Sequence, residues 1–269
     1  MSQHTLSANR IIAGYDKKTV LHDLQVDIPD HKVSVIIGSN ACGKSTLLKT
    51  FSRLLLPSDG EVILDGKKID QIPSKQLAQT LGLLPQSPIA PEGIRVSDLV
   101  ARGRFPYQGF MGGMKSEDYE AVNDALDAMG ITDLANREVD ELSGGQRQRV
   151  WIAMALAQQT DILFLDEPTT FLDVTHQIEI LDLLRELNQK NGTTIVMVLH
   201  DINLSARYSD HMIALKDGQL IAEGDPCDIV DESLISTVFN LDCEVINDPV
   251  SNTPLIIPKG KYQRKPVSL

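Results

Sequence analysis

The chain has 269 residues and a net charge of −12, with 25 Lys and Arg against 37 Asp and Glu. Apolar residues make up 42 % and charged residues 23 %, the balance of a globular chain long enough for one α/β domain with an insertion or for two small domains. The acidic charge argues against a general nucleic-acid binder, which needs a basic face. No run approaches the roughly 18–20 apolar residues of a membrane span, and the N-terminus has no apolar signal-peptide core.

The first elements look antiparallel. "LQVDI" at 24–28 alternates apolar and polar residues, as a half-buried strand does. "EVILDGKKI" at 61–69 places an Asp65-Gly66 turn after an apolar run. Between them lies "KVSVIIGSNACGKSTLLKTFSRLLL". An apolar run ends at Gly38, the pattern G-x-x-x-x-G-K-S runs from Gly38 to Ser45, and an amphipathic helix pattern follows. Strand, Gly-rich turn, Lys-Ser and helix together make a phosphate loop. Backbone N–H groups and a helix N-terminus offer positive potential to phosphate oxygens. Lys44 reaches the β- and γ-phosphates, and Ser45 supplies a hydroxyl to Mg²⁺. Cys42 lies inside this loop. It is either a thiol made reactive by the helix N-terminus or a small residue whose backbone alone meets phosphate. With Cys227 and Cys243 it forms a scattered odd set that suits a reducing cytosol.

"LGLLPQ" is a short apolar run ending at Gln86. From Ser87 to about Asp140 the chain changes character: "SPIAPEG" and "RGRFPYQGFMGG" are rich in turns, and "SEDYEAVNDALDAMG" is helical, with Ser116 placed to cap its start and Gly130 to end it. This segment reads as a helical insertion. "ELSGGQRQR" at 141–149 follows. Ser143 and Gln146 stand in the S-x-x-Q capping-box relation, and Val150, Ala153, Met154 and Ala157 form a helical stripe. A cap explains the stretch by itself. The same helix start, opened by two glycines, is also an anion site.

"ILFLDE" ends at Asp166 and Glu167, and "TTIVMVLH" ends at His200. With Gly38 and Gln86, four strands then carry polar groups at their C-terminal ends, where open α/β sheets bind ligands. Asp166 suits an acid that holds Mg²⁺ through water. Glu167 suits orientation or deprotonation of a water. Gln86 offers an amide to Mg²⁺ or that water. His200 suits a hydrogen bond to the γ-phosphate, or a structural one. "MIALKDGQLIAEG" at 212–224 reads as another strand pair around an Asp-Gly turn. From about Asp242 the chain is Pro- and Asn-rich, and the basic cluster "KGKYQRK" at 259–265 reads as a solvated tail.

"GSNACGKST", "LLPQ", "LSGGQ", "ILFLDE", "LD" at 172–173 and "LH" at 199–200 stand in the order and spacing of the ATP-binding-cassette ATPases, and the chain resembles that family over about residues 5–240. The resemblance implies a phosphate-loop NTPase core of RecA-like α/β type with an antiparallel β-subdomain. It implies a cassette over 1–240 with a helical subdomain inserted at about 87–140, then a short appendage over 241–269. It assigns ATP binding to Gly38, Ser39, Asn40, Ala41, Cys42, Gly43, Lys44, Ser45 and Thr46, with Tyr15 stacked on adenine. Ser45, Gln86 and Asp166 become the Mg²⁺ set. Lys44, Gln86, Glu167 and His200 become the catalytic set, and Asp173 the D-loop acid. Ser143, Gly144, Gly145 and Gln146 become a signature that completes the ATP site of a second subunit in a homodimer. The resemblance also implies membrane permease subunits at the cytoplasmic face of the inner membrane, an extracytoplasmic binding protein and no nucleic-acid partner. Arg104, Phe105 and Tyr107 fall where the permease would dock.

Ser39, Ala41 and Cys42 depart from the commonest residues of this loop and make its dihedrals hard to predict. "GRFPYQG" at 103–109, "DEPTTFLDVTHQIEIL" at 166–181, "HDINLSARYSD" at 200–210 and "DPVSNTPLIIP" more narrowly resemble the ATPases of bacterial iron–siderophore importers. Haem, vitamin B12 and other metal-chelate importers share much of this pattern. A soluble cassette ATPase acting on nucleic acid or ribosomes would instead carry paired cassettes, coiled coils or basic extensions.

Overall fold

The computed structural model describes residues 3–16, 18–109, 113–170 and 172–261. Residues 110–112 of the turn-rich stretch, Phe171 and the 262–265 part of the basic cluster lie outside the described residues.

Two sheets are stacked. Strands β1 (Leu6–Tyr15) and β2 (Lys18–Ile28) pair antiparallel, and β1 also pairs with β4 (Asp59–Leu64), which turns at Asp65-Gly66 into β5 (Lys67–Lys68). The alternation in "LQVDI" is thus an antiparallel strand with one buried face. Strand β3 (Val33–Gly38) belongs to the second sheet. It joins β6 (Leu81–Leu84), β7 (Ile162–Asp166), β8 (Thr194–Val198) and β9 (His211–Lys216) as parallel neighbours. The order is β10-β9-β3-β8-β7-β6, with β10 (Gln219–Gly224) antiparallel at one edge.

The parallel strands are buried on both faces, which is why they read as unbroken apolar runs rather than alternating ones. On one face Ile36, Phe164, Val198 and Leu215 pack with Leu47, Leu48 and Phe51 of α1 (Lys44–Phe51) and with the inner face of the antiparallel sheet. Helix α2 (Ser74–Thr80) leads into β6 at this side. On the other face Val35, Leu163, Leu165, Ile195 and Met197 pack against the remaining helices. Helices α3 (Val96–Ala101), α4 (Ser116–Ala128) and α5 (Gly144–Ala157) pack on one another. Helix α6 (Val174–Asn191) lies between β7 and β8, and α7 (Ile202–Tyr208) between β8 and β9. Beyond β10 come α8 (Pro226–Ile229), α9 (Glu232–Phe239) and a hairpin of β11 (Cys243–Asn247) and β12 (Pro254–Pro258). Asn203 fastens this hairpin to α7 by exchanging hydrogen bonds with the Ile256 backbone.

Two local expectations change. Ser116 is the first residue of α4 rather than its cap; the Asp118 carboxylate, one turn in, accepts the Lys115 N–H at 2.9 Å. Gly130 does follow the helix end in a left-handed conformation, φ 61°. Arg104 is not a surface group. It is 5 % exposed, ion-paired to Asp118 at 2.9 Å, and donates to the Ala157 carbonyl and the Gln159 side chain. An arginine whose hydrogen bonds tie three segments together offers nothing to a docking partner, whereas Phe105 beside it is 61 % exposed.

At the edge of the core sheet opposite the strand C-termini, His4 spans the two sheets. Its Nδ1 lies 2.8 Å from an Asp65 oxygen and its Nε2 3.1 Å from an Asp161 oxygen. Its backbone N–H donates to Asp30, which His31 also faces. Two carboxylates on one ring are satisfied only when both ring nitrogens carry hydrogen. Burial pushes the His4 pKa down, but the hydrogen bonds and charges of Asp65 and Asp161 outweigh it and leave it above 6.5. A raised folded pKa stabilises fully below the unfolded value and loses that contribution as pH rises through the folded one. We expect His4→Gln to lower Tm most near pH ~5.5 and least above pH ~8. Thermal melts across that range check this; a Tm difference independent of pH refutes it.

Candidate functional site

The C-terminal ends of β3, β6, β7 and β8 meet at one open pocket of about 550 Å³, lined by Tyr15, residues 40–46 other than Cys42, Gln86, Glu167 and His200, with Lys18 and Val20 from β2. Gly38 and Asp166 are the last residues of their strands, while Gln86 and His200 lie two residues past theirs.

The phosphate loop turns sharply enough to need its glycines. A Cβ on Gly38 would lie 2.4 Å from the Leu215 carbonyl oxygen and 2.5 Å from Cys42 Sγ. Gly43 caps α1 at φ 109°. Ala41 adopts φ 62°, so the replaced position keeps a conformation that glycine adopts freely and that costs an L-residue roughly 1–2 kcal/mol. Lys44 is buried, and its Nζ donates to the Gly38 and Ser39 carbonyls at 2.8 and 3.0 Å. This folds the ammonium back over the loop that it closes. Cys42 is 2 % exposed, and burial pushes its thiol pKa up despite Lys44. The reactive-thiol reading therefore fails: the sulfur packs inward and stays protonated.

Opposite the loop stand two adjacent carboxylates in different settings. Ser45 Oγ donates to Asp166 Oδ1 at 3.0 Å. Burial raises the Asp166 pKa, the Ser45 bond opposes it, and the neighbouring Glu167 charge adds to it. Glu167 sits at φ 57°, a left-handed conformation of the kind that persists only where the surrounding structure over-determines it. Gln86 Nε2 donates to Glu167 Oε2 at 2.7 Å, Thr170 Oγ1 to the same oxygen at 3.2 Å, and His200 Nε2 faces Glu167 Oε1 at 2.7 Å. Both oxygens of one buried carboxylate are thus partnered, by Gln86 and His200 from two other segments and by Thr170 from its own turn.

Tyr15 is 43 % exposed at the pocket rim, with Lys49 Nζ 5.6 Å from its ring centroid. A half-exposed aromatic ring at a pocket rim can stack on a base. Lys18, Val20 and Thr170 were not singled out in the sequence. The first two share a face of β2 at i, i+2 spacing and reach the pocket only through the fold, while Thr170, three residues after Glu167, meets its carboxylate.

The signature residues do not line this pocket. Ser143 caps α5, its Oγ accepting the Gln146 N–H at 3.3 Å while its own N–H donates to Gln146 Oε1 at 3.1 Å. The capping box is therefore real. A Cβ on Gly144 would meet nothing within 4 Å. No contact among the described residues demands glycine there. Asp173 caps α6, accepting from the His176 N–H at 3.0 Å and facing His176 Nδ1 at 2.7 Å. These bonds hold its carboxyl below the usual range. No helix among the described residues is long and apolar enough to cross a membrane.

A Gly-rich loop on a parallel sheet, a Gln–Glu–His cluster facing it and a glycine-opened helix cap elsewhere define an ATP-binding cassette, and the ABC transporter family profile matches residues 21–170. The chain belongs to the ABC transporter family, as an ATP-hydrolysing subunit. It is 54 % identical to the achromobactin transport ATP-binding protein CbrD of Dickeya dadantii (strain 3937), over 95 % of each chain. It is 51 % identical to the ferric enterobactin transport ATP-binding protein FepC of Escherichia coli (strain K12), over 95 % of this chain and 94 % of that one. Among solved structures it is similar to the dimeric bacterial ABC transporter cassette MJ0796, with a TM-score of 0.73 and 29 % identity over 82 % of this chain and 98 % of that one.

Proposed function

We propose that the chain energises import of a ferric siderophore or related iron chelate through separate membrane permease subunits, working as a homodimer at the cytoplasmic face of the membrane. The observation that carries this is near-full-length identity of about one half to ATP-binding proteins named for achromobactin and ferric enterobactin transport.

Loop N–H groups and Lys44 hold the β- and γ-phosphates, and Tyr15 receives the adenine. Ser45 and Asp166 present hard oxygens 3.0 Å apart beside the loop, and Gln86 stands across from them, a donor set that fits Mg²⁺. Bound there, Mg²⁺ supplies charge neutralisation for the phosphates. Glu167 orients the attacking water and takes its proton, while His200 holds the carboxylate and the γ-phosphate. The open face of Gly144 admits the γ-phosphate of ATP bound to the other subunit. For permease docking, Arg104 gives way to Phe105 and to the apolar groove of about 340 Å³ lined by Leu54, Leu77, Leu83 and Pro85. Gln79 of α2 ties this groove to the Phe105 turn through the Pro106 carbonyl.

A strain that lacks the chain should lose uptake of radio-iron presented as siderophore chelates, and regain it with the wild-type chain but not with Glu167→Gln. Normal uptake of every ferric chelate in the deletion strain removes the iron reading.

A further inference from the structure

Helix α5 does more than present the signature. Three side chains follow one another just behind Gly145. Gln146 is engaged in the capping box, and Arg147 turns back to the Leu142 carbonyl. Gln148 is the first of the three to reach a distant segment: its Nε2 donates to the Pro168 carbonyl at 2.9 Å. Pro168 is covalently next to Glu167.

The turn that follows Glu167 is short and closed on itself. The Thr170 N–H donates to the Glu167 carbonyl at 3.3 Å and the Leu172 N–H to the Thr169 carbonyl at 3.4 Å. Gln177 of α6 donates to the Leu172 carbonyl at 3.0 Å. Among the described residues, α5 meets the turn through the Gln148 hydrogen bond at one end and, at the other, through Leu172, whose Cδ2 would lie 3.3 Å from a Cβ on Gly145. Arg149 links α5 to two further helices: it pairs with Glu179 of α6 and donates to the Met129 carbonyl at the end of α4.

We infer that Gln148 is a positioning residue that couples the two ATP sites of the dimer, by tying the signature helix that serves one ATP to the Glu167 turn that serves the other. This rests on the head-to-tail dimer proposed above. The signature cap and Gln148 lie within about one 5.4 Å turn of a stiff helix, so a shift at Gly144 arrives at Gln148 almost undiminished. A hydrogen bond of 2.9 Å reaches its useful limit after a shift of only ~0.6 Å. Glu167 is held at a left-handed φ of 57°, so its carboxylate direction depends on how the next peptide is held. Closure on the partner's ATP sets α5, α5 sets the Pro168 peptide, and the peptide aims Glu167 at its own water. Gln148 touches neither ATP nor water.

The test uses the full chain with ATP and Mg²⁺. Gln148→Glu keeps the length but turns a carboxylate onto the Pro168 carbonyl; Gln148→Lys keeps a donor. We expect Gln148→Glu to lose ~10–100-fold in kcat and most of the ATP cooperativity of the wild type, with KM within ~3-fold. Gln148→Lys recovers most of both. Gln148→Glu combined with Glu167→Gln still dimerises with ATP as Glu167→Gln alone does. Wild-type kcat and Hill coefficient in Gln148→Glu overturn the inference. So do equal losses in both variants accompanied by a lowered Tm, which mark a merely structural bond. A Glu167→Gln chain that stays monomeric with ATP overturns the dimer reading instead.

Discussion

Glu167→Gln retains ATP binding, loses turnover by ~10²-fold or more, and accumulates as an ATP-bound dimer. The size of the loss is that expected for removing a positioned general base. The retention of binding follows from the partners of this carboxylate. Gln86 donates to Oε2 and His200 Nε2 stands at Oε1. A Gln side chain keeps its carbonyl for Gln86 and turns its NH₂ to the imidazole, which accepts when its Nε2 is unprotonated. The pocket shape and the left-handed backbone survive, because neither depends on the charge. Lys44, Ser45 and the loop N–H groups are untouched. With hydrolysis stopped, the state that hydrolysis would reopen builds up. Phosphate release and light scattering with and without ATP read the two halves separately. Phosphate release at the wild-type rate removes Glu167 as the base. A monomer under every nucleotide condition removes the dimer.

The parts of this site that were legible in the sequence are those set by local rules. Gly38, Gly43 and Lys44 are spaced by the geometry of one turn. Asp166 and His200 each follow an apolar run long enough to be a buried strand. Ser143 and Gln146 satisfy a cap within four residues. What was not legible joins distant segments. In sequence Arg104 falls with the docking surface because it lies in the helical insertion that a permease would meet; its burial depends on Asp118 and on the Ala157 carbonyl, 53 residues away. His4 meets Asp161 across 157 positions. Gln148 and Pro168 are 20 apart, and nothing in a helix heptad or a strand alternation records which carbonyl a glutamine will find. Periodicity reports which face is buried, not what it is buried against. Ser116 shows the same limit at short range: α4 begins at it rather than after it, and the Asp118 carboxylate, itself paired with Arg104, takes the Lys115 N–H.

Gly144→Asp separates folding from function more sharply than any change inside the pocket. The Cβ position meets nothing within 4 Å, and an acidic residue in the first turn of α5 favours the helix through its dipole. The variant should melt at or above the wild-type temperature. Its turnover should nevertheless fall by ~10²–10³-fold, the cost of removing a preorganised site for transition-state charge, because a carboxylate now faces the γ-phosphate. Mixing then shows whose phosphate it faces. Lys44→Ala alone has two broken loops per dimer, and Gly144→Asp alone has two broken signatures. In a mixed head-to-tail dimer one site collects both defects, and the other pairs an intact Lys44 with an intact Gly144. Random pairing leaves about a quarter of all sites whole, so phosphate release from the mixture should exceed the sum of the separate variants. If the signature served the ATP of its own chain, each mixed subunit would carry its own defect and the mixture would only average the two. Complementation therefore decides whether the glycine that no described neighbour in its own chain requires is required by the second subunit.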